Sequence, residues 1–171
     1  MLKNCAVLAA FLIGSFAGAV PSSFAAEAGK GGDNLVGAWR GKVQFVSGAL
    51  ADTKDLEFMY AFNVGGTMTE SSNYDAAPPV PPAYGVWRKV GPRKFEAKYQ
   101  FFQSKPVTSA EELVKGGGWG PDGHGILVQT MTLSADGNTF ESRITLELFD
   151  KDGKPAAGGG EGTATAQRLK Y

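Results

Sequence analysis

The sequence predicts an all-β protein, an antiparallel up-and-down barrel of about eight strands. Two observations carry that prediction. Short segments alternate apolar and polar residues with a period of two, which sends one set of side chains to a core and the other to water. These segments are joined at short spacing by Gly- and Asp-rich turns.

Leu35 to Val46 is the first and clearest of them. Leu35, Trp39, Val43 and Phe45 fall on one face, with Gly37 and Gly41 between them, and Arg40, Lys42 and Gln44 fall on the other. Ser47 to Asp55 reads as a loop. Leu56 to Val64 is the second strand, with Leu56, Phe58, Tyr60, Phe62 and Val64 in alternation. Gly65-Gly66 turns the chain, because glycine adopts positive φ without strain, and Thr67 to Ser71 returns as the third strand.

Asn73 to Ala83 contains Pro78, Pro79, Pro81 and Pro82. Proline lacks the donor a central strand needs, so this is a stiff extended connection across one end of the sheet. It reads as a spacer or as a lid over a pocket mouth. Tyr84 to Val90 is the fourth strand and repeats Gly-x-Trp-Arg at residues 85–88. After the Gly91-Pro92-Arg93 turn, Lys94 to Gln103 is the fifth, with Phe95, Ala97, Tyr99 and Phe101 on one face.

Thr108 to Val114 reads as one helical turn capped by Ser109 with Glu112 at the reciprocal position, or equally as the start of a strand. Gly116 to Gly123 is too rich in turn residues for a regular element. Gly125 to Ser134 is the sixth strand, and Ala135 to Asn138 a hairpin turn. Thr139 to Phe149 is the seventh, with Phe140, Ile144, Leu146 and Leu148 on one face. Asp150 to Lys154 turns the chain into the last strand, Gly158 to Leu169.

The barrel is preceded by an expected leader. Lys3 gives a positive start, Cys5 to Val20 is apolar, Pro21 breaks the run and small residues follow. This is the pattern of a secretory signal peptide over residues 1–25, cleaved near Ala25 or Ala28. The apolar run is shorter than the roughly 20 residues of a membrane-spanning helix. Residues 26–34 form a mobile Gly- and charge-rich lead-in, and 35–171 a single domain, which is expected to be exported to the periplasm or outside the cell. Cys5, the only cysteine, leaves with the leader, so the mature chain has no disulfide and no thiolate. The 17 basic residues balance the 17 acidic ones, which does not point to nucleic acid or to an acidic membrane surface, and no stable membrane insertion is expected.

Gly37-Ala38-Trp39 is similar to the Gly-x-Trp signature of the calycin barrels, which include the lipocalins. The resemblance implies that Trp39 plugs the closed end of the barrel and that Arg168, late in the last strand, packs across its indole. Gly37, Trp39 and Arg168 are then a structural seam. Trp39-Arg40-Gly41 also resembles the opening of nitrobindin-type haem barrels, although Lys42 to Phe45 departs from it. The disulfide of the lipocalins is absent, and the helix after their last strand has no counterpart before Tyr171.

No catalytic residue is signalled: Gly-x-Ser-x-Gly is absent, and a Ser-His-Asp triad would depend on His124 alone. His124, between Gly123 and Gly125, reads as a turn or strand-entrance residue and most simply as an exposed loop histidine, with haem ligation the alternative; no cofactor and no metal site is otherwise expected. Asp150 to Gly153 has the start of a calcium loop but not its later ligands, so a turn is the reading. Glu57, Glu96, Glu141 and Glu147 read as solvated outward charges. Phe58, Tyr60, Phe62, Tyr84, Trp87, Phe95, Tyr99, Phe101 and Phe140 are the candidate lining of a ligand cavity, or else a filled core. Trp119 sits awkwardly in its Gly-rich loop. Three functions stay open: a barrel binding a small hydrophobic molecule, an isomerase- or cyclase-type enzyme on the same barrel, and a filled structural or interaction barrel.

Overall fold

The computed structural model describes residues 33–74 and 81–171. The expected signal segment, most of the lead-in and residues 75–80 of the proline-rich connection lie outside the described residues.

The described chain is a closed antiparallel barrel of eight strands in sequence order. The strands are β1 (Gly37–Phe45), β2 (Leu56–Phe62), β3 (Thr67–Ser72), β4 (Ala83–Gly91), β5 (Lys94–Pro106), β6 (Trp119–Leu133), β7 (Thr139–Phe149) and β8 (Pro155–Arg168). Each pairs with the next, and β8 returns to pair with β1, from Trp39 opposite Arg168 to Phe45 opposite Gly162. The architecture is all-β, up-and-down and compatible with a calycin-like fold. Closure leaves no long unpaired sheet edge around the barrel itself.

Alternation is the cause of the inside and the outside. In β1, Trp39, Val43 and Phe45 are buried, whereas Arg40, Lys42 and Gln44 are exposed. In β7, Phe140, Ser142, Ile144 and Leu146 are buried between exposed Glu141, Arg143, Thr145 and Glu147. The two Gly-x-Trp-Arg segments follow the same plan. Each tryptophan points in, and each arginine lies outside and grips a glutamate of the next strand, Arg40 with Glu57 and Arg88 with Glu96. Such exposed pairs contribute little, roughly 0–1 kcal/mol each.

The seam has a definite geometry. The Arg168 guanidinium lies 4.2 Å from the Trp39 ring centroid. Its Nε donates to Gly137 O at 3.0 Å and its Nη1 to Val36 O at 2.6 Å. Nη2 donates to Asn34 O at 2.5 Å. The indole N–H of Trp39 donates to Leu35 O at 2.9 Å. Gly37 makes this possible: its φ is +133°, and a Cβ there would sit 2.8 Å from Arg168 Nη1. The last two residues of the expected lead-in are fastened to the closed end. Asp33 pairs with Lys89 and accepts the Arg93 N–H at 2.7 Å, and Asn34 accepts the Val36 N–H at 2.9 Å.

The turns behave as read. Gly65 and Gly66 have φ of +93° and +87°. Asp150 accepts the N–H groups of Asp152 and Lys154 at 2.9 Å, so its carboxylate closes the turn. Ser109 caps the short helix α1 (Ala110–Val114), accepting the Glu112 N–H at 3.3 Å and donating to its carboxylate at 2.6 Å.

One expectation is overturned. Trp119 to Gly123 is not irregular but is the start of β6, paired with Gln103 to Pro106 of β5 across a bulge at Gln103/Ser104. This stretch has β5 on one side only, since β7 joins β6 from His124 onward. A one-sided ribbon tolerates Gly120, Pro121 and Gly123, because the missing proline donor is not needed on a free edge. Trp119 therefore stands half-exposed on a projecting ribbon.

Trp39→Ala is expected to destabilise the protein by about 3–5 kcal/mol, as loss of a large core aromatic does. Arg168→Lys, which keeps the charge but not the planar fork, should cost about 1.5–3 kcal/mol. Urea denaturation of the single and double variants checks both. The two residues touch, so the double variant should lose less than the sum.

Candidate functional site

The barrel interior has three levels. The closed end is solid with aromatic rings. Trp39 and Phe140 have centroids 5.0 Å apart, Phe62 packs edge-on to Trp87 at 6.0 Å, and Trp87 meets Phe95 at 5.9 Å. Trp87 is anchored by its indole N–H to Asn63 O and Thr67 O, both at 3.1 Å.

The middle level is polar and internally bonded. The Tyr99 hydroxyl donates to Gln129 Oε1 at 3.0 Å. Gln129 Nε2 donates to Ser142 Oγ at 2.8 Å and faces Tyr60 Oη at 3.4 Å. Ser142 Oγ donates to Ala164 O at 3.4 Å. Buried polar groups of this kind are tolerated only when paired. Burial pushes the pKa of both tyrosine hydroxyls far above the ordinary range, and any charge on Glu70 would push the same way, so both remain protonated.

The third level is a cavity of about 240 Å³ at the open end, where β3 ends at Ser72 and β4 begins at Ala83. Its walls are Leu56, Phe58, Phe101, Leu127, Leu146 and Leu148, with Glu70, Ser72 and Gln103 as polar members. Ala49, Leu50, Tyr74 and Gly158 complete it at the rim. Broader depressions on the outside of the sheet are lined by strand residues such as Lys42, Glu57, Thr130 and Arg143 and are open to water.

Glycines shape the rim. The loop after β1 folds against β8, with Val46 N–H on Glu161 O at 2.7 Å and Ala49 N–H on Gly158 O at 2.9 Å. A Cβ on Gly160 would lie 2.0 Å from Ser47 O, and one on Gly48 2.2 Å from Gly159 O. Only backbone fits between these segments, and that close approach brings Leu50 to the cavity.

Glu70 is the unusual group. It lies on β3 opposite Tyr60 of β2 and Ala83 of β4, and it is only 6% exposed. Its Oε1 has no hydrogen-bond partner among the described residues. Burial without a counter-charge pushes its carboxyl up to about 8. A cavity-facing carboxylic acid is therefore neutral at pH 7 and titrates just above it.

The structure distributes the nine candidate lining residues unevenly. Phe58 and Phe101 line the cavity. Tyr60, Phe62, Phe95, Tyr99 and Phe140 are buried below it, in the packed levels, and Trp87 packs partly buried against them. Tyr84 points outward and is 64% exposed, because β4 alternates the other way from its neighbour Gly85. His124 corrects an expectation. It is not on a loop but in β6, half-buried, with its ring stacked on Phe149 at 5.0 Å and 10°. It is not among the cavity-lining residues. Among the described residues, no three His, Cys, Asp or Glu side chains are grouped to hold a metal ion.

Three interior polar residues escaped the sequence reading, although alternation contains the signal. Glu70 shares a strand face with Met68, Gln129 with Leu127 and Met131, and Ser142 with Phe140 and Ile144. No family model matches the chain, and no curated protein or solved structure is significantly similar to it.

Glu70 gives a pH signature. Its folded value near 8 lies above the 4.5 of an unburied carboxyl. Below about 4.5 both states hold the proton and nothing is lost. Between the two values only the folded chain holds it, so stability falls with rising pH by about 1.4 kcal/mol per unit. The loss is on the order of 4–5 kcal/mol and is complete above pH 8. Urea denaturation of wild type and Glu70→Gln across pH 5–8.5 checks this; the advantage of Glu70→Gln should grow with pH. Gln129→Leu, which strands the Tyr99 hydroxyl, should cost about 1–3 kcal/mol at any pH in that range.

Proposed function

We propose that the protein is an exported, lipocalin-like barrel that binds a small, mostly apolar molecule at its open end. The observation that carries this reading is the cavity itself, with leucine and phenylalanine walls, one buried carboxyl and a rim built by the glycine contacts. Apolar walls with few polar groups are the usual make-up of a small-molecule site. At about 240 Å³ the cavity is below the roughly 300–1,000 Å³ of drug-sized pockets. It holds about eight waters' worth of volume, hence a ligand of roughly ten non-hydrogen atoms. The filled closed end supports a rigid scaffold beneath the site. The leader-like residues 1–25 support export, and charged residues spread over the outer face, such as Arg40, Lys42, Glu96 and Arg143, support a barrel that lives in water.

Glu70 favours a second reading, an isomerase- or cyclase-type enzyme. A carboxyl that titrates near 8 is matched to general acid–base work near neutral pH. The ligand recovered after incubation separates the two: unchanged ligand supports a binder, a rearranged one an enzyme.

Isothermal titration with neutral probes of the right size, such as 1-octanol and indole, tests the binding reading. Saturable one-to-one binding is expected, abolished in Leu127→Trp, where the added indole occupies the cavity. Absence of binding by the wild type, or binding undiminished in Leu127→Trp, counts against the cavity as a site.

A further inference from the structure

An apolar cavity says little about the polar end of its ligand, and Glu70 says more. Its carboxyl is nine-tenths buried and lines the cavity, and its Oε1 is unpartnered among the described residues. The groups around it come from several elements. Tyr60 of β2 and Tyr99 of β5 are the titratable ones, Ser72 and Gln103 are neutral, Ala83 of β4 is apolar, and Tyr74 lies at the rim. Among the described residues, none of those lining the cavity is a lysine, arginine or histidine. The Gln129 amide is committed to Tyr99, Ser142 and Tyr60 rather than to Glu70. Among the described residues the fold thus holds an acid without a partner for its Oε1.

We propose that the ligand is a small apolar amine, held by its nitrogen on the Glu70 carboxyl with its hydrocarbon part against the leucine and phenylalanine walls. This rests on the binding reading above.

The alternatives fare worse physically. A fatty acid would bring a second acidic group against Glu70, with no cation lining the cavity among the described residues, and leave a net negative charge buried. An alcohol makes one neutral hydrogen bond of modest net value, about 0.5–1.5 kcal/mol. An amine and a carboxyl form a pair whose net charge is zero wherever the proton sits, joined by a charge-assisted bond. Desolvation usually weighs against a buried ion pair. Here folding has already stripped water from the carboxyl, so binding has only the ammonium left to desolvate.

The proton balance follows. Below pH 8 the empty cavity holds Glu70 protonated, and the amine arrives from water as its ammonium. Forming the neutral pair releases one proton to solvent. Affinity for the amine therefore rises about tenfold per pH unit below 8 and levels off above it, whereas an alcohol shows no such slope.

The test is calorimetric titration of the full chain with octylamine, 1-octanol and octanoate at pH 6 and pH 8, in wild type, Glu70→Gln and Leu127→Trp. At pH 8 octylamine is expected to bind wild type at least tenfold more tightly than 1-octanol, with octanoate weakest. In Glu70→Gln that preference should fall to within twofold. Leu127→Trp should lose all three. Equal binding of octylamine and 1-octanol, octanoate as the tightest probe, or an amine preference that survives in Glu70→Gln overturns the amine proposal and leaves the cavity as a binding site. Failure of all three probes on wild type overturns both. Near-UV circular dichroism of Glu70→Gln guards against loss of fold, and Tyr60→Phe, which leaves the carboxyl in place, should keep the amine preference.

Discussion

A sheet that closes on itself has to join its first strand to its last, and here Arg168 makes that junction. Its guanidinium covers the face of Trp39 and donates to carbonyls from three separate places, Asn34, Val36 and Gly137. Lysine has neither the flat face to stack nor the fixed fork to reach all three. The junction also plugs the closed end, because Trp39 carries the weight of Phe140 and, through it, Tyr60 and Phe62. Everything above, including the site, is built on that plug.

The interior then changes character along the barrel axis. Rings fill the closed end, a bonded polar level follows, and the leucine-lined cavity comes last. The polar level satisfies itself through Gln129, which touches Tyr99, Ser142 and Tyr60. Glu70 stands beside it without sharing its bonds, and this is why burial acts on the carboxyl undiluted. A filled barrel and a hollow one are therefore not exclusive here. The same chain is packed solid at its closed end and encloses a cavity at its open end.

The open end depends on the absence of side chains. Gly48 and Gly160 let the β1–β2 loop lie directly on β8, and β8 itself bulges where Leu146 and Leu148 of β7 pair with Gly160 and Ala156. A tighter rim would have closed the cavity with backbone, and a bulkier one would have held Leu50 away from it.

What the sequence by itself determined is the barrel. Period-two alternation is a local property of each strand, and turn residues such as Gly65, Gly66 and Asp150 act on their own neighbours, so both are legible one segment at a time. The extension of β6 through Trp119 to Gly123 was not legible, because its regularity comes from pairing with β5 and its tolerance of Pro121 from a free edge. The same holds for the site. Alternation places Glu70, Gln129 and Ser142 on inward faces, but whether an inward polar group is paired depends on residues far apart in sequence. Gln129 finds Tyr60 across 69 positions, whereas Glu70 Oε1 finds no partner among the described residues. Only the tertiary structure decided that difference, because hydrogen-bond satisfaction is a property of the closed barrel rather than of any strand.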